Sequence, residues 1–407
     1  MMNKPKHFTG QPIFNQLLFL IPKPIVNRLV RKYRADRYCK KFKCYDHLVT
    51  MLFSTLEQCS SLRELTTGMQ ACYSRLKHLG LAYTPRRTTL ADANCRRPVG
   101  FFEDLYHELY RLHYGSLPDS LQTKTKLDRL FIIDATTVSL FSTVLAGAGS
   151  FGLNGKKKGG IKAHLLVRAK DNVPCFVRLT EGTQNDRKFL PYVHLPKGSI
   201  VAMDRGYNNY GRLRSWTKQK VTWITRPDAR AIYHIVNTKS IDDKQASAGI
   251  VADHCIELGN PRTTHLQAIQ NVRMIVFCDK QSQTQYEFIT NDFRSAPLTI
   301  AELYKKRWQI ETLFKRIKQN FNLHNFLGDS ENAIRIQLWC TFIADLLIKI
   351  IKDKTAKKRK WSMANLAGLI RLHLFTYINL RYFLEHPDKA LLAYEDPVED
   401  QMQLFKT

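Results

Sequence analysis

The spacing of apolar residues divides the chain into a helical first part, a middle part that contains strands and a helical last part. Apolar residues at helical spacing predict four helices near the start, over residues 11–33, 45–56, 61–76 and 99–114. Ser61 can cap the third of these helices, and Thr88–Thr89 can cap a further basic helix over LADANCRR. A helix, a Gly-containing turn and a capped basic helix form the outline of a helix-turn-helix, although any helical bundle contains such turns.

From residue 127 the pattern changes to apolar runs of strand length. It predicts strands over residues 130–140, 161–169, 174–180, 199–204 and 221–225, and helices over 186–193 and 211–219. Ser199–Asp204 contains a continuous apolar run, which is typical of a parallel strand buried on both faces. The order β-β-β-α-β-α-β predicts a mixed α/β sheet.

Residues 227–290 have a different texture and are interpreted as a β-rich insertion. Polar turns separate short strand-like runs over residues 231–236, 265–270, 273–277 and 286–289, and no helix is predicted there. Further helices are predicted over residues 303–321, 330–352 and 363–383, and residues 395–400 form an acidic tail.

The predicted helix Leu303–Phe321 contains neither Gly nor Pro, and one of its faces is an apolar stripe. At about 100° per residue, Tyr304, Arg307, Glu311 and Lys318 fall within roughly 60° of each other beside that stripe. Such a row suits the binding of a metal together with phosphates. It is equally compatible with a basic amphipathic helix that carries an Arg–Glu pair one turn apart.

The charge of the chain narrows the choice of partner. The chain has 407 residues and a net charge of +28, from 63 Lys and Arg against 35 Asp and Glu. An excess of this size predicts a polyanionic partner, most often nucleic acid, although ribosomal and membrane-surface proteins are basic as well.

Cysteine usage and hydropathy indicate the compartment. The nine cysteines form no C-x-x-C motif, so we expect free thiols in a reducing cytoplasm. The start of the chain lacks a signal-peptide pattern. Gln337, Asp345 and Lys349 interrupt the most apolar segment, Ile336–Ile351, so we predict a soluble protein without a membrane span.

Two carboxylates lie in apolar strands and point to chemistry. Asp134 interrupts the first strand, and Asp204 ends the strand that precedes Arg205. A buried carboxylate is costly unless it is paired or bound to metal, and a single one is usually structural. Two of them, together with Glu311, predict a site for Mg²⁺ or Mn²⁺. Two such ions about 3.5–4 Å apart can activate a water and stabilise the leaving oxygen of a phosphodiester.

These motifs resemble those of DDE transposases, specifically the bacterial insertion-sequence group with a Tyr-x2-Arg-x3-Glu-x6-Lys signature. Tyr304, Arg307, Glu311 and Lys318 match the signature at every position. The segment IIDATTVSL resembles the family's first Asp motif, VAMDRGY its second and KRWQIETLFKRIKQ the motif of its third acid. The resemblance covers essentially the whole chain.

The resemblance implies a fold and a domain order. The fold is α/β, with a ribonuclease-H-like catalytic core that a β-rich insertion interrupts and with helical N-terminal and C-terminal regions. The implied parts are a helical DNA-binding region over 1–120, the core over 121–226 and 291–330, the insertion over 227–290, and a C-terminal helical region with a dimerisation role over 331–407.

The resemblance also implies roles for residues. Asp134, Asp204 and Glu311 are the implied catalytic residues and metal ligands. The implied contacts with DNA phosphates are Tyr304, Arg307, Lys318 and Arg226. Lys162 is a further candidate DNA contact: with His164 it lies in a strand beside the first Asp, where both side chains can face the site or merely line the edge of the core.

The implied function is cut-and-paste transposition. Metal-dependent cleavage frees a 3′-hydroxyl at the transposon end, which forms a hairpin and later joins target DNA. The implied partners are double-stranded DNA, as terminal inverted repeats and as target, and a second copy in a synaptic homodimer through residues 330–385. The implied cofactors are two Mg²⁺ or Mn²⁺ ions, and the implied location is DNA in the bacterial cytoplasm. The alternatives are a metal-dependent DNA nuclease that does not join strands and a DNA-binding protein that has lost catalysis.

Overall fold

The computed structural model describes residues 10–115, 125–139, 150–151, 157–158, 160–259, 269–323, 325–355 and 360–392. The chain divides into two compact units. Met1–His113 and Arg316–Thr407 form the first, called here the helical unit, and Tyr114–Lys315 forms the second, the sheet unit.

The helical unit combines the N-terminal and C-terminal parts of the chain, which pack around one long helix. Its helices are α1 (Ile13–Leu18), α2 (Lys23–Lys32), α3 (Cys44–Glu57), α4 (Leu62–Ala71), α5 (Tyr73–Leu76), α6 (Arg87–Arg96), α7 (Val99–Tyr114), α12 (Glu331–Thr355), α13 (Met363–Leu372), α14 (Leu380–Glu385) and α15 (Pro387–Leu392). Helix α12 packs against α3, which is buried along nearly its whole length, and against α6, α13 and α14.

The polar residues that interrupt the apolar sequence of α12 are satisfied inside the helical unit. Asp345 accepts two hydrogen bonds from the Arg316 guanidinium, at 3.1 and 2.6 Å. Gln337 accepts from the Leu327 backbone N–H and donates to the Asn325 carbonyl. No helix among the described residues is long and apolar enough to cross a membrane.

The sheet unit is built on one nine-stranded mixed sheet. Its strand order is β5-β4-β1-β6-β7-β11-β10-β9-β8. The strands are β1 (Leu130–Ser139), β4 (Gly160–Arg168), β5 (Val173–Glu181), β6 (Ile200–Met203), β7 (Thr222–Thr225), β8 (Tyr233–Thr238), β9 (Ile250–Leu258), β10 (Ile269–Asp279) and β11 (Thr284–Thr290), with β2 (Ser150–Phe151) and β3 (Lys157–Lys158) in a separate ribbon.

The centre of the sheet is parallel and the two sides are antiparallel. β6 lies between β1 and β7, parallel to both, and all four of its residues are buried, as the sequence predicts. β11 joins the edge of β7, so β8–β11 extend the same sheet. The sheet unit also contains α8 (Tyr210–Lys218), α9 (Asp243–Ser247) and α10 (Pro297–Lys305), while α11 (Gln309–Asn320) begins in it.

Several helix predictions hold, and others are corrected. Helix α7 has the predicted bounds, and the Ser61 side chain caps α4 by accepting from the Glu64 N–H. The predicted helix over 11–33 is two helices, and those over 61–76 and 363–383 are also divided. The cap at Thr88–Thr89 is wrong, because α6 already begins at Arg87. The segment Asp186–Tyr192 is a 3₁₀ helix.

The prediction for residues 227–290 is right about strands but wrong in two details. The stretch contains the short helix α9, and it contains β9, which was not predicted. Gly249 lies between them with φ at 98°, and a Cβ there would stand 2.4 Å from the Cys278 carbonyl oxygen, so the turn requires glycine. The predicted run over 265–270 lies partly outside the described residues, and the acidic tail lies wholly outside them. All nine cysteines are free thiols, as predicted.

Candidate active site

Asp134 and Asp204 stand side by side where two parallel strands stop pairing. The parallel register between β1 and β6 ends with Ile133 opposite Met203, and the next residue on each strand is the aspartate. Carboxyl ends of parallel strands are where side chains converge at the edge of an α/β sheet. The Asp204 carboxylate accepts from the Gly206 backbone N–H at 3.4 Å, while the Asp134 carboxylate accepts from the Ala135 N–H at 2.8 Å.

Arg307 links Glu311 to this strand edge. Its guanidinium donates to the Asp134 carboxylate at 2.9 Å and to the Glu311 carboxylate at 3.2 Å. The Arg307 side chain is 10% exposed and that of Asp134 19%, whereas the side chain of Glu311 is 60% exposed. One buried cation therefore bridges two carboxylates that are 177 residues apart in the chain, since 311 − 134 = 177.

The pKa values of Asp134 and Arg307 reflect both burial and the neighbouring charges. Burial raises the pKa of Asp134 to about 6; the Ala135 N–H and Arg307 oppose the rise, and the charges of Asp204 and Glu311 add to it. Burial alone would lower the pKa of Arg307, but Tyr304 and the three carboxylates raise it overall. We call Asp134, Asp204 and Glu311 the acid cluster.

The predicted helix over 303–321 is not one regular helix. Helix α10 ends at Lys305, residues Lys306–Trp308 form a 3₁₀ turn, and α11 begins at Gln309. Side chains three residues apart eclipse in a 3₁₀ turn. The Arg307 guanidinium accordingly lies over the Tyr304 ring, 5.7 Å from its centroid.

An aromatic group adjoins the acid cluster. Tyr304 is buried against Phe288, with ring centroids 4.7 Å apart. Arg226, the residue after β7, lies over the Tyr286 ring at 5.6 Å, and the half-exposed Trp308 meets the same ring edge-on at 6.1 Å. Sequence reasoning did not single out Trp308, because nothing in the local pattern shows which strand its ring meets.

Lys162 and His164, predicted beside the first Asp, have other partners. The Lys162 ammonium lies 3.0 Å from the Asp186 carboxylate and 3.1 Å from the Gln184 carbonyl oxygen. His164 is fully buried, hydrogen-bonded to Thr180 at 3.0 Å, and burial lowers its pKa to about 4. His164 thus lies in the core of the sheet unit rather than at the open edge of the acid cluster.

Asp186 is an acid near the site that sequence reasoning missed. A Cβ placed on Gly206 would stand 3.5 Å from the Asp186 carboxylate and 3.8 Å from that of Asp204, so the two acids flank the same turn. The charges of Asp186, Asp134 and Asp204 all add to the effect of burial, which raises the pKa of the Tyr207 phenol. Asp186 follows no strand, so no pattern in the sequence marks it.

Lys318, the last residue of the matched signature, is exposed on α11, two turns after Glu311. It lies beyond Lys315, where the sheet unit ends. The structure therefore brings together Asp134, Asp204, Glu311, Arg307, Tyr304 and Arg226, and it places Lys318 on the same helix as Glu311.

The chemistry of the acid cluster suits a hard divalent cation. Its donors are carboxylate oxygens, the ligands that such cations prefer, and the raised pKa of Asp134 comes first from burial and then from the charges of Asp204 and Glu311. Among the described residues, however, no group of three or more His, Cys, Asp or Glu side chains is in position to hold a metal ion. In this structure the positive charge next to Asp134 and Glu311 comes from the guanidinium of Arg307.

Two family models match the chain. Residues 125–347, which carry the acid cluster, match a family described as transposase DDE domain. Residues 9–82 match a family described as a domain of unknown function, DUF4372.

Curated relatives are transposases by name. A putative transposase of Sinorhizobium fredii is 28% identical over 319 residues, covering 77% of this chain and 82% of the relative. A probable transposase for the insertion sequence element IS5377 of Geobacillus stearothermophilus is 26% identical over 58% of this chain and 60% of its own. A putative transposase for the element IS4SA of Synechocystis is 24% identical over 75% of this chain and 83% of the relative.

Among solved structures, the piggyBac transposase synaptic complex with hairpin DNA is similar over 94% of this chain and 82% of that chain. Its TM-score is 0.47 at 11% sequence identity, a level of similarity that does not establish a shared fold.

Proposed function

The chain belongs to the family of transposases with a DDE domain, enzymes that cleave and transfer DNA strands, and we propose that it moves an insertion sequence by cut-and-paste transposition. One observation carries the proposal: two aspartates lie side by side where the parallel pairing of β1 with β6 ends, and Arg307 joins the first of them to a glutamate of α11. Paired carboxylates of this kind are the usual protein contribution to metal-dependent phosphodiester chemistry.

Asp134, Asp204 and Glu311 are the proposed ligands of two divalent ions, Mg²⁺ or Mn²⁺. When bound, such ions supply a nucleophile at neutral pH and stabilise charge on the leaving oxygen. The Asp134 carboxylate accepts from the Ala135 N–H within β1, and the Asp204 carboxylate accepts from the Gly206 N–H just after β6, so both carboxylates keep a fixed direction. Glu311 is the exposed member and the one that can adjust.

The signature residues Tyr304, Arg307 and Lys318 are proposed to handle DNA phosphates, together with Arg226 and Lys162. Arg307 is engaged with Asp134 and Glu311 in the structure, so it can pair with a phosphate only after leaving them. Lys162 must likewise leave Asp186. Arg226 and Asp204 both lie close enough to Tyr304 for their charges to affect its pKa, which Asp204 raises and Arg226 lowers.

The proposed reaction is a series of displacements at phosphorus. A water oxygen forms a bond to phosphorus as the strand breaks and leaves a 3′-hydroxyl. That hydroxyl attacks the opposite strand to form a hairpin, the hairpin is reopened, and the same hydroxyl joins target DNA. Each step exchanges one phosphorus–oxygen bond for another, so no covalent enzyme intermediate is needed.

We also propose a ribonuclease-H-like core. Three antiparallel strands, β5-β4-β1, continuing into the parallel strands β6 and β7, support it. The proposed DNA-binding region covers residues 1–120, and residues 331–407 have a proposed role in dimerisation. Action as a synaptic homodimer, on inverted repeats and on target DNA in the bacterial cytoplasm, belongs to the same proposal.

The test is cleavage of a duplex that carries the end of the element. Glu311→Gln should reduce Mg²⁺-dependent cleavage by about a thousandfold or more, because part of the metal-held charge stabilisation of several kcal/mol is lost. Binding of the same duplex, followed by gel shift, should remain. Glu302→Gln, at an exposed glutamate on α10, is the matched control and should cleave at the rate of the natural chain.

Undiminished cleavage by the Glu311→Gln protein would contradict the assignment of the acid cluster. A second assay, in which precut ends are offered with target DNA, separates a transposase from a nuclease that does not join strands. Joined products that disappear with Glu311→Gln support the transposase, whereas cleavage without joining supports the nuclease.

A further inference from the structure

A cavity of about 810 Å³ lies in the helical unit, and none of its lining residues belongs to the acid cluster. One wall is formed by the segment between α2 and α3, residues 34–42, and the other by residues 83–98 around α6. The first wall, residues 34–42, belongs to the region that matches the domain of unknown function, whereas residues 83–98 follow the end of that region. We call it the cationic cavity.

The cationic cavity carries positive charge that its surroundings do not neutralise. Arg34, Arg37, Lys40, Lys41 and Arg86 all line it. The one carboxylate among its described lining residues, Asp92, is paired with Arg96 at 2.8 Å. None of those five cations forms an ion pair within the described part of the chain. A concave surface of one charge concentrates counter-ions and attracts a polyanion.

The wall of the cavity is held in place by a buried arginine. Arg97 is 5% exposed and donates to the carbonyl oxygens of Ala35 and Phe42, and at 3.1 Å to the Asp36 carboxylate. Asp36 in turn accepts from the Cys44 backbone N–H at 2.6 Å. Residues 34–42 are thus fixed at both ends, so the exposed cations project from a built wall.

The same segment displays an aromatic ring at the cost of backbone strain. Arg34 and Tyr38 have φ angles of 47° and 61°, in the left-handed region that residues other than glycine rarely adopt. Tyr38 is 87% exposed, and the Arg37 guanidinium lies over its ring at 4.7 Å. Strain retained to expose a large aromatic side chain suggests a binding role.

A hydroxyl in the cavity also lacks a partner. The Tyr83 side chain lines the cavity, and its oxygen is buried without a hydrogen bond to any residue that the structure describes. A buried hydroxyl is normally hydrogen-bonded, because leaving it unsatisfied costs roughly 1–3 kcal/mol. The Tyr83 hydroxyl is therefore a strained point in the wall of the cavity.

We propose that the cationic cavity binds a single-stranded segment of DNA, with phosphates against Arg34, Lys40 and Lys41 and an unpaired base against Tyr38. Cations along a groove beside an exposed aromatic ring are the features that hold single strands. A duplex, by contrast, is read by elements that protrude into its grooves, whereas this site is concave. The inference rests on the proposed action on DNA and deepens it.

The test is fluorescence anisotropy of the full-length protein with a labelled oligonucleotide of mixed sequence, single-stranded in one arm and duplex in the other. The triple variant Arg34→Gln, Lys40→Gln, Lys41→Gln should bind the single strand at least about tenfold more weakly. The slope of log affinity against log salt should become shallower by about 2, since each phosphate contact contributes about 0.7. The matched control removes three exposed cations outside the cavity through the changes Lys23→Gln, Arg63→Gln and Lys77→Gln. It should change both the single-strand affinity and the salt slope less than the triple variant does.

The ring has its own test. Tyr38→Ala should weaken single-strand binding about tenfold and duplex binding much less, whereas Tyr38→Phe should retain the natural affinity because it keeps the ring. Equal losses in the triple variant and its control would overturn the site. Equal losses for single strand and duplex in all variants would overturn the preference for a single strand.

These outcomes are separable from failure of the proposed function. If the natural chain cleaves and joins DNA while the cavity variants bind as it does, only the cavity proposal fails. If the natural chain binds no DNA in either arm, the proposed function fails with it. Thermal melting of every variant shows that a lost signal is not lost folding.

Discussion

The acid cluster and the cationic cavity treat charge in opposite ways. In the acid cluster, carboxylates from distant parts of the chain are compensated from within, because Arg307 donates to two of them. In the cationic cavity, five basic side chains face the same space and form no ion pair among the described residues. The net charge of +28 predicts a polyanionic partner but cannot say where it binds. The local pairing of charges is more informative: unpaired cations in the cationic cavity favour an anionic ligand, whereas the carboxylates of the acid cluster need a cation beside them.

Each region also contains one buried arginine with a structural role. Arg97 holds the wall of the cationic cavity, and Arg307 holds the acid cluster. They differ in their acceptors: Arg97 bonds mostly backbone carbonyls, whereas Arg307 bonds carboxylates that have another proposed use. Substitution of the two arginines therefore tests whether the comparison is real.

Arg97→Met should have the larger effect, a loss of about 3–5 kcal/mol in the free energy of unfolding. It leaves two buried backbone carbonyls without their donor, and the partly exposed Asp36 carboxylate loses one of its two donors. Urea unfolding measures the loss. Arg96→Met, at the exposed neighbour, is the control and should change stability by less than about 0.5 kcal/mol. Similar values for both variants would show that Arg97 does not hold the wall.

Arg307→Gln should lower the free energy of unfolding by about 2–3 kcal/mol in metal-free buffer. The loss comes mainly from the half-buried Asp134, which loses its partner, because Glu311 is well exposed. Added Mg²⁺ should raise the melting temperature of this variant more than that of the natural chain, since the carboxylates are no longer engaged. The exposed Lys306→Gln is the control for local charge. An identical Mg²⁺ response in Arg307→Gln and Lys306→Gln would break the comparison.

A smaller effect concerns a base that the helical unit keeps neutral. His47 is fully buried, bonded to Asn94 at 2.7 Å, and burial lowers its pKa from 6.5 to about 4. Between these pKa values the unfolded chain binds more protons than the folded chain does. The contribution of His47 to the free energy of unfolding is therefore fully present above about pH 6.5 and is lost as the pH falls toward 4. The expected loss from His47 is about 2 kcal/mol between about pH 7.5 and about pH 5.

The measurement is urea unfolding at a series of pH values. His47→Gln should lose about this part of the pH dependence, whereas the same change at the exposed His78 should leave it in place. A slope that is unchanged in His47→Gln would show that the imidazole is not held neutral by the fold.

The sequence was informative where a feature is local. The buried run of β6, the bounds of α7 and the order of the two Asp motifs could all be read from periodicity and spacing. It failed where a partner is distant. β9 was missed because Asp253 breaks its apolar pattern, and only the structure shows that Arg273 pairs with this aspartate at 2.6 and 2.8 Å.

The site shows the same limit. Spacing selected Asp134, Asp204 and Glu311, but it could not show that Arg307 contacts two of them, since that depends on the strand edge and on the 3₁₀ turn. The cationic cavity was not predicted at all. Four of its five cations lie in a segment without helical or strand periodicity, and the hydrogen bonds of Arg97 tie that segment to the end of α6.

The division of the chain into two units has a consequence for the order of folding during synthesis. The sheet unit is one continuous stretch, so it can fold as soon as it has left the ribosome. The helical unit needs both ends of the chain: α3 has its buried face ready early, but α12 is made about 270 residues later, counting from Glu57 to Glu331. The unit that is begun first is therefore completed last, and the apolar side of α3 must stay protected from aggregation until α12 arrives.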